Sequence, residues 1–147
     1  MNLWTMHVPH LERLNRELGI GLDPKIVTWV TNCDDAAEPL TIVAFSNWTP
    51  WTCELTVWST PKGVSRLFIR KCLEYPFVQA GRRRVNAIVS DTVVYGYLVR
   101  LGFTPEAVLK NWFGDKDGLM FRLLREDCAW LYAKERKSEQ RLVASPA

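Results

Sequence analysis

The feature that most constrains this chain is a change of hydrophobic period at Pro61-Lys62-Gly63. Before it lie three runs rich in β-branched and aromatic residues, Lys25–Asn32, Leu40–Asn47 and Cys53–Ser59, with turn signals at Asn32-Cys33-Asp34-Asp35 and Asn47-Trp48-Thr49-Pro50. Those runs predict a meander of antiparallel strands. After it, Val64, Leu67, Phe68 and Cys72 fall on one helical face and Arg66, Arg70 and Lys71 largely off it, which predicts a helix to about Tyr75-Pro76.

The rest of the chain keeps alternating. Pro9 suits the first turn of a helix whose Leu11, Leu14 and Leu18 recur before Gly19 and Gly21 end it. Val85–Ser90 reads as a strand. Asp91 is the expected N-cap of a helix with the stripe Val94, Tyr97, Leu98 and Leu101, stopped by Gly102. Ala107–Phe113 and Leu119–Leu124, joined through Gly114-Asp115-Lys116-Asp117-Gly118, predict a closing hairpin. The order implies an α/β domain with a mixed central sheet flanked by helices. It occupies residues 1–131, and residues 132–147 are expected to be a frayed helix end and a disordered tail.

With 147 residues and 48% hydrophobic content, one compact domain is the expected organisation. The longest apolar stretches, Leu40–Phe45 and Val85–Val89, fall far short of the roughly 20 residues of a membrane-spanning helix. The opening residues lack the pattern of a secretory signal, so the expected compartment is the cytoplasm. Cys33, Cys53, Cys72 and Cys128 are widely spaced and read as reduced, partly buried thiols. His7 and His10 have no third ligand in the sequence, so no metal site is predicted. A net charge of +3 is too small to make nucleic acid an expected partner, and Arg82-Arg83-Arg84 reads as solvated edge charge where a loop enters a strand.

The segment Cys53–Phe68 ends a strand, crosses a short loop and opens a helix. There, backbone N–H groups and the helix dipole favour an anion; Gly63 permits close approach, and Lys62 and Arg66 add positive charge. Trp48, Trp51 and Trp58 read as core in preference to pocket lining.

The order of elements, together with Leu101-Gly102-Phe103-Thr104-Pro105-Glu106, resembles the GNAT superfamily of acyl-CoA N-acyltransferases. In that family a strand leads to a Gln/Arg-x-x-Gly-x-Gly/Ala loop that binds the CoA pyrophosphate. Thr60-Pro61-Lys62-Gly63-Val64-Ser65 is similar in length and at Gly63, with Thr60 and Ser65 as departures. Ala87–Thr92 looks like the strand and helix that flank the pantetheine arm, with Thr92 where the family often has Asn. Pro105–Lys110 and Met120–Arg125 resemble the branch that acetylates ribosomal-protein N-termini. Tyr75-Pro76-Phe77 and Cys128-Ala129-Trp130-Leu131 look like small phage-encoded GNAT-like proteins. The resemblance covers roughly residues 40 to 131, and the family's first strand is expected to be absent or very short.

That resemblance implies acetyl-CoA as co-substrate and an amine acceptor, small molecule or protein, with a homodimer as one assembly. It implies cofactor contacts from Val57, Trp58, Ser59, Lys62, Gly63, Val64, Ser65, Arg66, Thr92 and Tyr95. Glu54 stands where some members place their general base. The thiolate-protonating Tyr is assigned to Tyr95 rather than Tyr97, which fits the apolar stripe; the family's usual position here holds Leu98. The alternative is a GNAT-fold binding or structural protein, of the phage-encoded kind, that has lost turnover.

Overall fold

A computed structural model describes residues 3–62, 65–90 and 92–131. Gly63, Val64, the Asp91 cap and the tail from residue 132 lie outside the described residues. Seven strands form one sheet: β1 (Leu3–Thr5), β2 (Thr28–Cys33), β3 (Pro39–Ser46), β4 (Thr52–Ser59), β5 (Arg84–Val89), β6 (Thr104–Leu109) and β7 (Gly118–Leu124), in the order β1-β2-β3-β4-β5-β7-β6. β1 to β4 are an antiparallel meander, β4 and β5 are parallel, and β5, β7 and β6 are again antiparallel. The expected mixed sheet and its very short first strand are both present.

Among the described residues three α-helices flank it: α1 (Val8–Leu18), α2 (Arg66–Glu74) and α3 (Thr92–Leu101). α1 ends where Gly19 takes φ 66°, a conformation that costs glycine little, and its N–H bonds the Asn15 carbonyl. Leu11 and Leu14 close a small apolar cluster with Ile42 and Ala44 on one sheet face. α2 and α3 lie on the other face over a larger cluster that includes Phe45, Phe68, Phe77, Leu98, Phe103 and Phe121. Beyond Glu74 the helix widens into a π turn, Tyr75–Gln79. Pro76 has no N–H to give, and the turn closes through Ala80 N–H to the Tyr75 carbonyl at 2.9 Å.

Four expectations need correction. Leu67 is 54% exposed, because it lies on the helical line of Lys71 while Phe68, Cys72 and Leu73 face the sheet. Tyr97 is 37% exposed: Val94, Leu98 and Leu101 form the buried line of α3 and Tyr97 flanks it. Trp51 is 62% exposed on the β3–β4 turn rather than core, whereas Trp48 packs on Phe45 and Tyr75 and Trp58 on the α1 cluster. β6 begins at Thr104 instead of Ala107, since Gly102 (φ 104°) reverses the chain and Phe103 drops into the core. Its far end comes early because Asn111 turns the chain at φ 56°.

All four cysteines are buried and free. Burial pushes the thiols of Cys53 and Cys72 up to about 12, which keeps them protonated and inert at neutral pH.

Candidate active site

The parallel pair at the centre of the sheet is short. β4 and β5 share four register partners, Thr52↔Arg84 through Leu55↔Ala87, after which the strands part. Thr56–Ser59 then pairs only with β3, and Ile88–Val89 only with β7. Along this gap the backbone N–H and C=O groups of both strands have no strand partner, and such groups need one from elsewhere. The chain leaves β4 at the open end of the gap and enters α2.

At the start of α2, Ser65 is the N-cap; its Oγ accepts the Phe68 N–H at 3.1 Å. The remaining N–H groups of the first turn carry the positive end of the helix dipole. Lys62 and Arg66 are exposed on either side of the cap. The other residues expected at the cofactor divide between faces. Val57 packs on the α2 side. Trp58 packs on the α1 side, with the Arg13 guanidinium 4.8 Å from its ring centre, so only its backbone borders the gap. Ser59 shares a 2.9 Å hydrogen bond with Thr41. Thr92 opens α3.

Glu54 lies one residue before the strands part, on the face that carries α1. The rung it occupies is polar across five strands: Ser46 on β3, Glu54 on β4, Asn86 on β5, Arg122 on β7 and Thr104 on β6. The neighbours of these residues along each strand, such as Leu55, Ala87 and Phe121, point to the opposite face and are core. The Glu54 carboxylate accepts the Asn47 side-chain N–H at 2.8 Å. Arg84 holds Glu106 through both terminal nitrogens and donates its Nε–H to Asn86. Arg122, half-buried, makes no ion pair or hydrogen bond with any described side chain. The expected solvated edge charge at Arg82–Arg84 is therefore corrected: β5 is an interior strand, Arg84 is ion-paired, Arg82 lies over the Trp48 ring, and only Arg83 is exposed.

Tyr95 is 38% exposed on the opposite face and meets the ring of Phe121 edge-on at 5.0 Å. Phe121 is the register partner of Ala87, the last β5 residue paired with β4. Glu54 and Tyr95 thus flank the point of separation from opposite sides of the sheet. Asn47, Asn86, Arg122 and the Arg84–Glu106 pair were not singled out in the sequence. Their signal was a polar residue at alternate positions of otherwise apolar strands, as in Val85-Asn86-Ala87 and Phe121-Arg122-Leu123. Among the described residues no group of three or more His, Cys, Asp and Glu side chains is arranged to hold a metal, and no helix is long and apolar enough to cross a membrane.

A sheet of this order, parted at its central parallel pair and flanked by these helices, defines the acyl-CoA N-acyltransferase-like fold. Solved structures agree. The spermidine/spermine N-acetyltransferase SpeG from Vibrio cholerae, in mutant forms, superposes with a TM-score of 0.69 at 15% identity, covering 89% of this chain and 98% of that one. A dodecameric structure of the spermidine N-acetyltransferase from Vibrio cholerae gives 0.67 at 12% identity, over 84% and 94%. Ribosomal-protein-S5-alanine acetyltransferase from Vibrio fischeri gives 0.61 at 16% identity, over 82% and 70%. At these identities the likeness establishes the fold. No protein-family model and no curated protein matches the chain.

Proposed function

We propose that this chain is an acyl-CoA-dependent N-acyltransferase, with acetyl-CoA as co-substrate, acting on a primary amine. The observation that carries the reading is the parting of β4 and β5 beside Glu54, with the capped start of α2 at the far end of the gap. An extended, amide-bearing pantetheine arm matches the unpartnered backbone of Thr56–Ser59 and Ile88–Val89. The first turn of α2, with Lys62 and Arg66, suits its pyrophosphate.

When bound, an acyl thioester supplies an electrophilic carbonyl and a thiolate leaving group. Glu54 takes the proton that the amine loses as its N–C bond forms and the C–S bond breaks, and Asn47 holds that carboxylate in place. Tyr95 returns a proton to sulfur from the opposite face.

Calorimetric titration with acetyl-CoA tests this reading. Saturable binding is expected, weakened at least tenfold in the double variant Lys62→Glu/Arg66→Glu, which alters two exposed side chains. A hundredfold excess of ligand over Kd should raise unfolding stability by about 2.7 kcal/mol. No binding by the unaltered protein would overturn the proposal.

A second reading, a GNAT-fold protein that binds without turnover, is favoured by two observations. The Thr60 hydroxyl, at the family's Gln/Arg position, is committed to the Leu40 carbonyl at 3.1 Å. Leu98, at the family's Tyr position, is 3% exposed in the core. Acetyl-CoA binding with no acylation of any amine distinguishes this reading from the first.

A further inference from the structure

Resting on the acyltransferase reading, we propose that the acceptor is a small amino carboxylate, a free amino acid or a close homologue, whose carboxylate is bound by Arg122. The polar rung carries two side chains of opposite charge that no described ion pair neutralises, Glu54 and Arg122. Between them stands Asn86, whose side-chain oxygen is already engaged by Arg84. Glu106 is held by the same arginine, so the adjacent positive and negative charges cancel.

Glu54 and Arg122 are two strands apart, a Cα separation of about 10 Å. An extended Glu and an extended Arg converging over Asn86 leave a span of a few ångströms, which suits an amine and a carboxylate joined by a short carbon chain. A guanidinium offers a carboxylate two parallel hydrogen bonds, and no described side chain competes with a ligand for those of Arg122.

The same charges disfavour a polyamine. A second ammonium lying along the rung would meet Arg122 instead of a carboxylate. One step along the strands the wall becomes apolar: Ile88 and Met120 are register partners on this face. The exposed Trp112 lies beside it, since a Cβ on Gly118 would come within 2.9 Å of the Trp112 Cβ and 3.0 Å of Ile88 Cγ2. The side chain of the acceptor is expected to lie against this apolar stretch.

The test uses two acceptors that differ only in the carboxylate, L-leucine and isoamylamine, with spermidine as the polycationic control. In the acetyl-CoA-loaded protein, L-leucine should be acetylated with a kcat/KM at least tenfold above either amine. Arg122→Gln should lower the ratio of the L-leucine value to the isoamylamine value tenfold or more, chiefly through the KM for L-leucine; Arg122→Lys should restore part of the difference. Thermal unfolding of each variant confirms that the fold is retained. Equal use of L-leucine and isoamylamine, a preference for spermidine, or equal losses for both monoamines in Arg122→Gln would overturn the inference and leave the acyltransferase reading standing. Binding of L-leucine to the loaded protein, read by calorimetry, covers the case of no turnover, and its absence at millimolar concentration also overturns the inference. Failure of acetyl-CoA itself to bind counts against the underlying reading instead.

Discussion

The sheet has two faces, and they are built differently. Under α2 and α3 the apolar cluster runs from Val43 on β3 to Phe121 on β7 and takes in Cys128 beyond the last strand. On the other face, α1 covers only Ile42, Ala44 and their surroundings, and the strands from β4 onward present Glu54, Asn86, Arg122 and Thr104 instead. The first face holds the fold together. The second is polar along a full rung, and nothing in the packing of the core requires that rung. The core residues and the polar rung with Glu54 are therefore separated by the thickness of one sheet, with Tyr95 on the core side against Phe121, and substitutions in the core and in the rung should be separable by experiment.

The largest separation is expected from Glu54→Gln. It should lower acyl transfer by about 100- to 10,000-fold, the range for loss of a general base, while shifting stability by only about 0.5 kcal/mol. A steady-state assay beside a denaturant titration reads both, and an unchanged rate would remove Glu54 from the chemistry. The converse is Phe77→Ala. Phe77 is fully buried on the α2 side, so the change should cost about 3–5 kcal/mol of unfolding free energy. A cost under 1 kcal/mol would mean that the two faces share the structural load. The smallest effect is expected from Ser65→Ala at the start of α2. Loss of the cap should destabilise by about 1 kcal/mol. If the cap also orders the phosphate end of the gap, acetyl-CoA affinity should fall with it in the same calorimetric titration.

Most of the framework was legible in the sequence because it rests on local rules. The change of period at Pro61, the glycine stop after Leu18 and the turn before β4 each depend on residues near one another in the chain. The errors were local as well: Leu67 and Tyr97 were assigned to buried stripes that pass one step to the side of them. The candidate site was legible only in part. Glu54 and Tyr95 are singled out through a family resemblance, and in the structure they lie on either side of the β4–β5 separation. The polar rung was not legible, because it joins positions 46, 54, 86, 104 and 122 through strand register. Register between β5 and β7 is a tertiary property that no short window contains. What the sequence does carry is the alternation that turns Asn86 and Arg122 away from the core.

The short contact between β4 and β5 has a mechanical meaning. A four-stranded panel and a three-stranded panel are seamed along four residues, whereas neighbouring strand pairs such as β3–β4 and β5–β7 share six. Apart from the edge pairing of the three-residue β1 with β2, the seam is the least cross-linked line in the sheet. A chain-like molecule laid along the parted edges would lengthen it, adding hydrogen bonds where the strands lack them, and would stiffen the two panels into one. Slowed amide exchange at Leu55 and Ala87 would record that stiffening from within the seam itself.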